Sequence, residues 1–458
     1  MDGLRICVNT QTPLFQFLPR PTEAPRNGNG ELSRIEDLQE GVDYRVSPGG
    51  VTRMVYPMLR KLQGDGLLDD PHWVSLNSSG PAAFRANGLT LHNVALDSAR
   101  MGGFGKTKEA IWSTVHGLER PQGADDLFWS DEFAEYAYYN RHTAERIREL
   151  DAAHDFDLFY IHDFQQMPIG QMLESLKPKV FRWHIPFDAA RIPETWRELF
   201  LGYLNQYDVV VVSSAQYQDG LRRLGYRGKV VLSYPYVDPG EYRRPSADEA
   251  ASVCARWGIA PDDAVALVVA RMDPAKAQDR AIAAVARLAK THPKLKLVLI
   301  GNGSFSAARG GPGPSKAVRW KAHLEEEVRR LGVEDRVVFT GHVSQEVLDA
   351  FYERSQLTIL PSVNEGFGLV VVESWLHRRP ALVTQRAGIA ELIRDGENGV
   401  LFDPDDVPSL AEKIGAILDD RSGTADRLVR SGLRTARRCS LLAAARTETK
   451  ILTQAIEG

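Results

Sequence analysis

VALVVARMDPAKAQDRAIAAVARLAKTHPKLKLVLI, residues 265–300, decides the architecture. It opens on an apolar run at 265–271 and closes on another at 296–300. Between them, 276–291 places Ile282, Val285, Ala286 and Ala289 at i, i+3, i+4 and i+7, one face of a helix. Strands that are apolar on both faces and joined by an amphipathic helix belong to a parallel sheet covered on both sides. Further short runs lie at 4–8, 157–161, 208–213, 336–340, 357–360 and 381–384, with helical patterns between them. The expected fold is α/β, in two doubly wound units. The break falls near 235–261, where PYVDPGEYRRPSADEA is rich in proline and charge and carries no apolar period. The expected domains are 1–236 and 237–438, followed by an amphipathic helix over 439–458. Residues 19–30 and 304–315, rich in Pro, Gly and small polar residues, read as loops.

Composition narrows the function classes. Of 458 residues, 43% are hydrophobic and 25% charged, which excludes a wholly disordered chain. The 56 basic and 60 acidic residues leave a net charge of −4, so no global basic field points to a nucleic-acid partner. No apolar run approaches the roughly 18 residues of a membrane span. The N-terminal residues lack the charged region and long apolar run of a signal peptide. Cys7, Cys254 and Cys439 are few, odd in number and far apart, which fits a reducing cytoplasm and argues against a disulfide scaffold or a cysteine zinc cluster. Oligomeric state is not legible, and a homodimer is compatible with the chain.

The chemistry concentrates at expected strand ends. NEGFGLVVVES, residues 364–374, follows the run at 357–360 and opens a helix. Gly366 and Gly368, flanking Phe367, let backbone approach a ligand closely. The free N–H groups of that helix start suit a diphosphate, with Leu369 among the donor-binding candidates. Glu365 and Glu373, eight residues apart, suit the hydroxyls of a ribose and of a sugar. Glu373 is expected about two turns into the helix. Arg271 and Lys276 end the strand at 265–271, on the edge where open α/β sheets bind ligands. A planar guanidinium and a point charge together suit two phosphates without a metal. His162 and Asp163, and then His184 in FRWHIPF, fall at two other strand ends. They lack a recognisable metal-ligand spacing, so no metal site is expected. Gly49 and Gly50, before a helix at 51–62, could approach phosphates or the sugar. GGFGKT at 102–107 fails as a phosphate loop, because the first glycine of that pattern would fall at Arg100.

These motifs resemble one family. Arg271, Lys276, Glu365 and Glu373, with TQRAGIAELIRDGENGVLFDPDD from Thr384, look like the donor site of retaining glycosyltransferases of the family-four type. LFWSDEFAEYAYYNRHTAERI, IHDFQQMPIGQML and FRWHIPF resemble trehalose-6-phosphate synthases and the trehalose synthases that use a nucleotide-glucose and free glucose. The phosphate-forming synthases carry Asp where Glu365 stands, which leaves the acceptor open between glucose, glucose 6-phosphate and another molecule. The resemblance implies the GT-B fold, two facing Rossmann-like domains with a C-terminal crossover helix. It implies a metal-independent hexosyltransferase whose substrates are a nucleotide-diphosphate glucose and a sugar acceptor. It further implies that Asp163 contacts a sugar, His184 sits at the donor sugar, Glu365 holds sugar hydroxyls and Glu373 the ribose. The donor base would be set near 341–343, and Arg53, Lys106 and Tyr136 are acceptor candidates. A trehalose phosphorylase, a sugar-nucleotide epimerase and a non-catalytic sugar-nucleotide binder are the alternatives.

Overall fold

The computed structural model describes residues 3–18, 32–47, 50–118, 123–302 and 316–457. Gly49 and the loops expected at 19–30 and 304–315 therefore lie outside the described residues. The chain divides into two compact units, Met1–Ser233 with Ala444–Gly458, and Tyr234–Ala443.

The first unit is built on an eight-stranded sheet. Its order is Lys229–Leu232, Val209–Val212, Lys179–Arg182, Leu158–His162, Ile6–Thr10, His72–Leu76, Leu89–Val94 and Ala83–Ala86. Seven strands are parallel, and Ala83–Ala86 pairs antiparallel with Leu89–Val94. That edge departs from the all-parallel sheet expected. Its cause is legible in the chain: Asn87 and Gly88 join the two strands with φ of 48° and 77°, the left-handed pair a two-residue hairpin needs. The strand order reverses beside Ile6–Thr10, so Leu158–His162 delivers Asp163 to the edge where such sheets bind ligands. The helix Asp131–His154 leads into that strand. Ser130 caps it by accepting from the Phe133 N–H at 3.1 Å, and Asp155 ends it with φ 53°.

Three histidines pack together elsewhere in this unit. His92 Nε2 lies 3.0 Å from His72 Nδ1, and the His154 ring is 4.1 Å from that of His72. Burial is the largest cause lowering His72 to about 4 and His92 to about 3. Asp70 opposes the shift of His72, while Arg85 and His154 add to it, and Arg146 adds to that of His92. An unfolded histidine titrates near 6.5, so the unfolded chain takes up these protons first as pH falls. Stability is therefore expected to drop from about pH 6.5 downward, by on the order of 3 kcal/mol for each of the two histidines by pH 4. Urea midpoints at pH 7 and pH 4.5 check this, with His92→Leu expected to flatten the fall.

The second unit carries six parallel strands in the order Val337–Gly341, Leu295–Ile300, Ala264–Val269, Leu357–Leu360, Ala381–Thr384 and Val400–Phe402. Numbered within the unit, this is 3-2-1-4-5-6, and the order reverses between Ala264–Val269 and Leu357–Leu360. The helix Gln278–Arg287 buries Ala281, Ile282, Ala284 and Val285 on the sheet. Where the chain enters and leaves this unit, the Val237 N–H donates to the Cys439 carbonyl and the Leu441 N–H to that of Val237, both at 3.0 Å. The helix Leu441–Ile456 then continues into the first unit, where Ala444, Ala445, Glu448, Ile451, Leu452 and Ala455 are buried. Among the described residues, no helix is long and apolar enough to cross a membrane.

Candidate functional site

The reversal point of the second unit gathers the charged residues read from the sequence. Arg271 and Lys276 follow the strand Ala264–Val269, and Glu365 follows Leu357–Leu360. Lys276 Nζ donates to Glu365 Oε2 at 2.6 Å, and the Ser362 hydroxyl donates to the same oxygen at 3.0 Å. The two side chains are 14% and 16% exposed, so the pair is largely withdrawn from water yet reachable. Burial raises the Glu365 carboxyl, but Lys276, Ser362 and Arg271 outweigh it and hold it below its ordinary value. Arg271 is exposed at the strand end, and its carbonyl accepts from Gln278 at 2.7 Å.

The glycine turn beside this pair is held by backbone contacts. The Glu365 N–H donates to the Arg386 carbonyl at 3.2 Å, the Gly388 N–H to that of Glu365 at 3.1 Å, and the Ile389 N–H to that of Phe367 at 2.9 Å. Gly368 starts the helix Leu369–Leu376 with φ 107° and no side-chain cap. Phe367 is buried, which leaves only its backbone open to a ligand at the turn. Glu373 is the fifth residue of that eight-residue helix, little more than one turn in and not two as expected. The helix begins only after Gly368, whose left-handed backbone uses up the first part of the motif. Tyr242 and Tyr352 donate their hydroxyls to the two Glu373 oxygens at 3.1 and 2.9 Å. The Tyr352 ring stacks on His377 at 4.7 Å, and His377 Nε2 lies 3.2 Å from Asp349.

The first unit carries the other candidates and brings His162, Asp163 and His184 together. Asp163 has φ 71° and ψ 164°, a region residues other than glycine rarely occupy, and such strain gathers at functional sites. Its N–H donates to the Arg182 carbonyl at 2.7 Å, and its Oδ1 accepts from the His184 N–H at 3.3 Å. Burial pushes the Asp163 carboxyl up to about 6, against hydrogen bonds from Phe164, His184 and Gln165. His162 Nδ1 and His184 Nε2 are 3.0 Å apart, and burial holds both rings well below the ordinary histidine value, so they share one hydrogen bond as neutral groups. Gly50 opens the helix Gly50–Gly64 with nothing within 4 Å of where its Cβ would stand. Tyr136 is buried, and its hydroxyl donates to the Phe164 carbonyl, supporting the turn after Asp163. Lys106 pairs with Glu132 at 3.0 Å, and Arg53 is exposed.

Residues 254–434 match the model of the family described as glycosyl transferases group 1. The second unit is a group 1 glycosyl transferase domain. Residues 105–219 of the first unit match the N-terminal domain of trehalose synthase. The chain is 34% identical over 187 residues to a D-inositol 3-phosphate glycosyltransferase of Acidothermus cellulolyticus, covering 40% of this chain and 39% of that protein. It thus spans about two fifths of the length of that relative. It is 27% identical over 308 residues to a trehalose synthase of Thermococcus litoralis, covering 66% and 69%. An α,α-trehalose-phosphate synthase of Burkholderia xenovorans in complex with glucose-6-phosphate superposes with a TM-score of 0.73 at 16% identity, over 98% of this chain and 100% of that one. The fold is that of the GT-B glycosyltransferases, with two Rossmann-like domains.

Within the glycosyl transferase domain, the sequence reading does not reach Ser362, Tyr242 or Tyr352. Ser362 stands three residues before Glu365, within range of a spacing argument. The tyrosines lie 131 and 21 residues from Glu373, beyond the reach of a spacing argument. Gly388 belongs with them. A Cβ there would stand 2.5 Å from the Gly366 carbonyl oxygen. Gly388→Ala is expected to push the glycine turn aside, costing about 1–3 kcal/mol in stability. Chemical denaturation checks that cost.

Proposed function

We propose that the protein is a retaining hexosyltransferase that moves glucose from a nucleotide-diphosphate glucose to a sugar acceptor, forming trehalose or trehalose 6-phosphate. The observation that carries this reading is the Lys276–Glu365 pair at the strand-order reversal of a group 1 glycosyl transferase domain. Lys276 and Arg271 supply the positive charge a departing diphosphate needs, with no metal called for. Glu365, kept ionised by Lys276, accepts hydroxyls of the transferred sugar. Glu373, aimed by two tyrosines, accepts ribose hydroxyls, since an ionised carboxylate offers about four lone-pair sites. The Gly366–Gly368 turn and the start of the helix at Leu369 offer backbone N–H groups to the phosphates. Gly49 and Gly50 would serve the phosphates or the sugar from the first unit.

In the reaction read here, the bond from the sugar anomeric carbon to the phosphate oxygen breaks, and its electron pair leaves with the diphosphate. The acceptor hydroxyl oxygen bonds the same face of that carbon, and its proton passes to the departing phosphate oxygen. Asp163 orients a sugar hydroxyl, and His184 presents its ring or backbone carbonyl to the reacting carbon. The match of residues 105–219 to trehalose synthase supports the trehalose-type product. Three buried free cysteines support a cytoplasmic setting.

A second reading keeps the donor and takes another acceptor, favoured by the likeness to D-inositol 3-phosphate glycosyltransferases. One assay separates them. The protein is incubated without metal with UDP-, ADP- and GDP-glucose, each against glucose, glucose 6-phosphate and inositol phosphate, and products are read by mass and anomeric coupling. A non-reducing α,α-disaccharide supports the first reading. Phosphate-dependent release of glucose 1-phosphate from trehalose, with no nucleotide-sugar turnover, replaces it with a phosphorylase.

A further inference from the structure

The helix Leu441–Ile456 carries one acidic residue on its buried face, Glu448, whose side chain is 1% exposed. Its carboxylate accepts from Arg182 Nη1 at 2.8 Å and from the Tyr160 hydroxyl. Arg182 is itself 6% exposed, and its Nη2 donates to the Ser233 carbonyl and hydroxyl at 3.1 and 3.2 Å. Replacing a buried ion pair by apolar residues is often neutral or stabilising, so the pair is weak evidence of a purely structural role. Its surroundings point elsewhere. Arg182 is the last residue of its strand, two before His184, and its carbonyl accepts the Asp163 N–H. The Tyr160 ring lies 4.3 Å from that of His162, which hydrogen-bonds His184. Two routes thus run from Glu448, one through the Arg182 backbone to Asp163 and one through Tyr160 and His162 to His184.

We infer that Glu448 is a positioning residue for Asp163 and His184, acting from the helix Leu441–Ile456 through Arg182 and Tyr160. The inference rests on the reading that Asp163 and His184 work on the transferred sugar. It does not concern the nucleotide, whose main proposed contacts belong to the second unit.

The test uses the full chain as wild type, Glu448→Gln, Tyr160→Phe and, as a control, Leu442→Ala at an exposed position of the same helix. Transfer is measured with whichever nucleotide-glucose the wild type turns over, donor affinity by calorimetry, and the imidazole nitrogens of His162 and His184 by NMR on histidine-labelled protein. Glu448→Gln is expected to lower kcat about tenfold or more, as small misplacements of reacting groups do. Donor affinity stays at the wild-type value, the signals of His162 and His184 move, and Leu442→Ala changes none of these. If Glu448→Gln fails to fold, Tyr160→Phe, which removes a single hydroxyl, is read in its place with the same expected directions. Folded variants with unmoved histidine signals and wild-type kcat overturn the inference, as does a fall in donor affinity that accounts for the loss. A wild type that transfers from no nucleotide-glucose removes the reading of the reaction, and the histidine signals then decide the positioning alone.

Discussion

Lys276→Met is expected to lower kcat/KM for transfer by about three orders of magnitude, the equivalent of the roughly 4 kcal/mol between unit charges 4 Å apart at an effective dielectric of 20. The substitution keeps an unbranched side chain one atom shorter and removes the ammonium, with its charge and its hydrogen bond to Glu365. It also strands the Glu365 carboxylate, at a cost of about 3–5 kcal/mol in stability, because breaking a buried pair leaves one charge uncompensated. The two effects separate in the double variant Lys276→Met with Glu365→Gln. Its denaturation midpoint should recover most of the loss, while transfer stays at least as low as in the single variant. A single variant that retains wild-type kcat/KM would remove Lys276 from the proposed role.

Asp163→Asn is expected to lower kcat by about two orders of magnitude or more, as loss of one well-placed polar contact in a water-poor site does. The pH dependence is more telling. Asp163 is the stronger acceptor of a hydroxyl when ionised, and its carboxyl is raised to about 6. Wild-type kcat/KM should therefore fall below about pH 6, and the variant's residual activity should lose that limb. Stability moves the opposite way. A carboxyl raised in the folded state adds stability that is full below its unfolded value of 3.8 and is lost as pH rises through about 6. At pH 8 the ionised Asp163 is thus a burden, and Asp163→Asn is expected to stabilise the protein by on the order of 2 kcal/mol. Between pH 4 and 6 this gain on acidification opposes the loss from His72 and His92, so the variant's stability should fall more steeply there.

The sequence exposes what is local. The runs at 357–360 and 381–384 are strands over those same residues, because a strand buried on both faces is apolar throughout and its ends are turns. Open α/β sheets bind ligands at strand ends, so Arg271, Lys276, Asp163, His184 and Glu365 are readable as candidate positions. The Asn87–Gly88 turn is equally local, and its two residues alone account for the antiparallel edge. What stays hidden is the set of partners. Glu448 and Arg182 are 266 residues apart, and no periodicity links a glutamate in an amphipathic helix to an arginine at a strand end. The depth of Glu373 in its helix depends on where Gly368 turns left-handed, a backbone choice that the spacing of two glutamates does not encode.

The helix that completes the first unit is separated from the rest of that unit by the whole of Tyr234–Ala443. On the ribosome, at roughly 5–20 residues per second, the first unit therefore waits tens of seconds for its missing piece. During that interval Arg182 has no Glu448, and the apolar ground that Ile451 and Leu452 will cover is open. The second unit is whole before the first, an inversion of the order in which they are made.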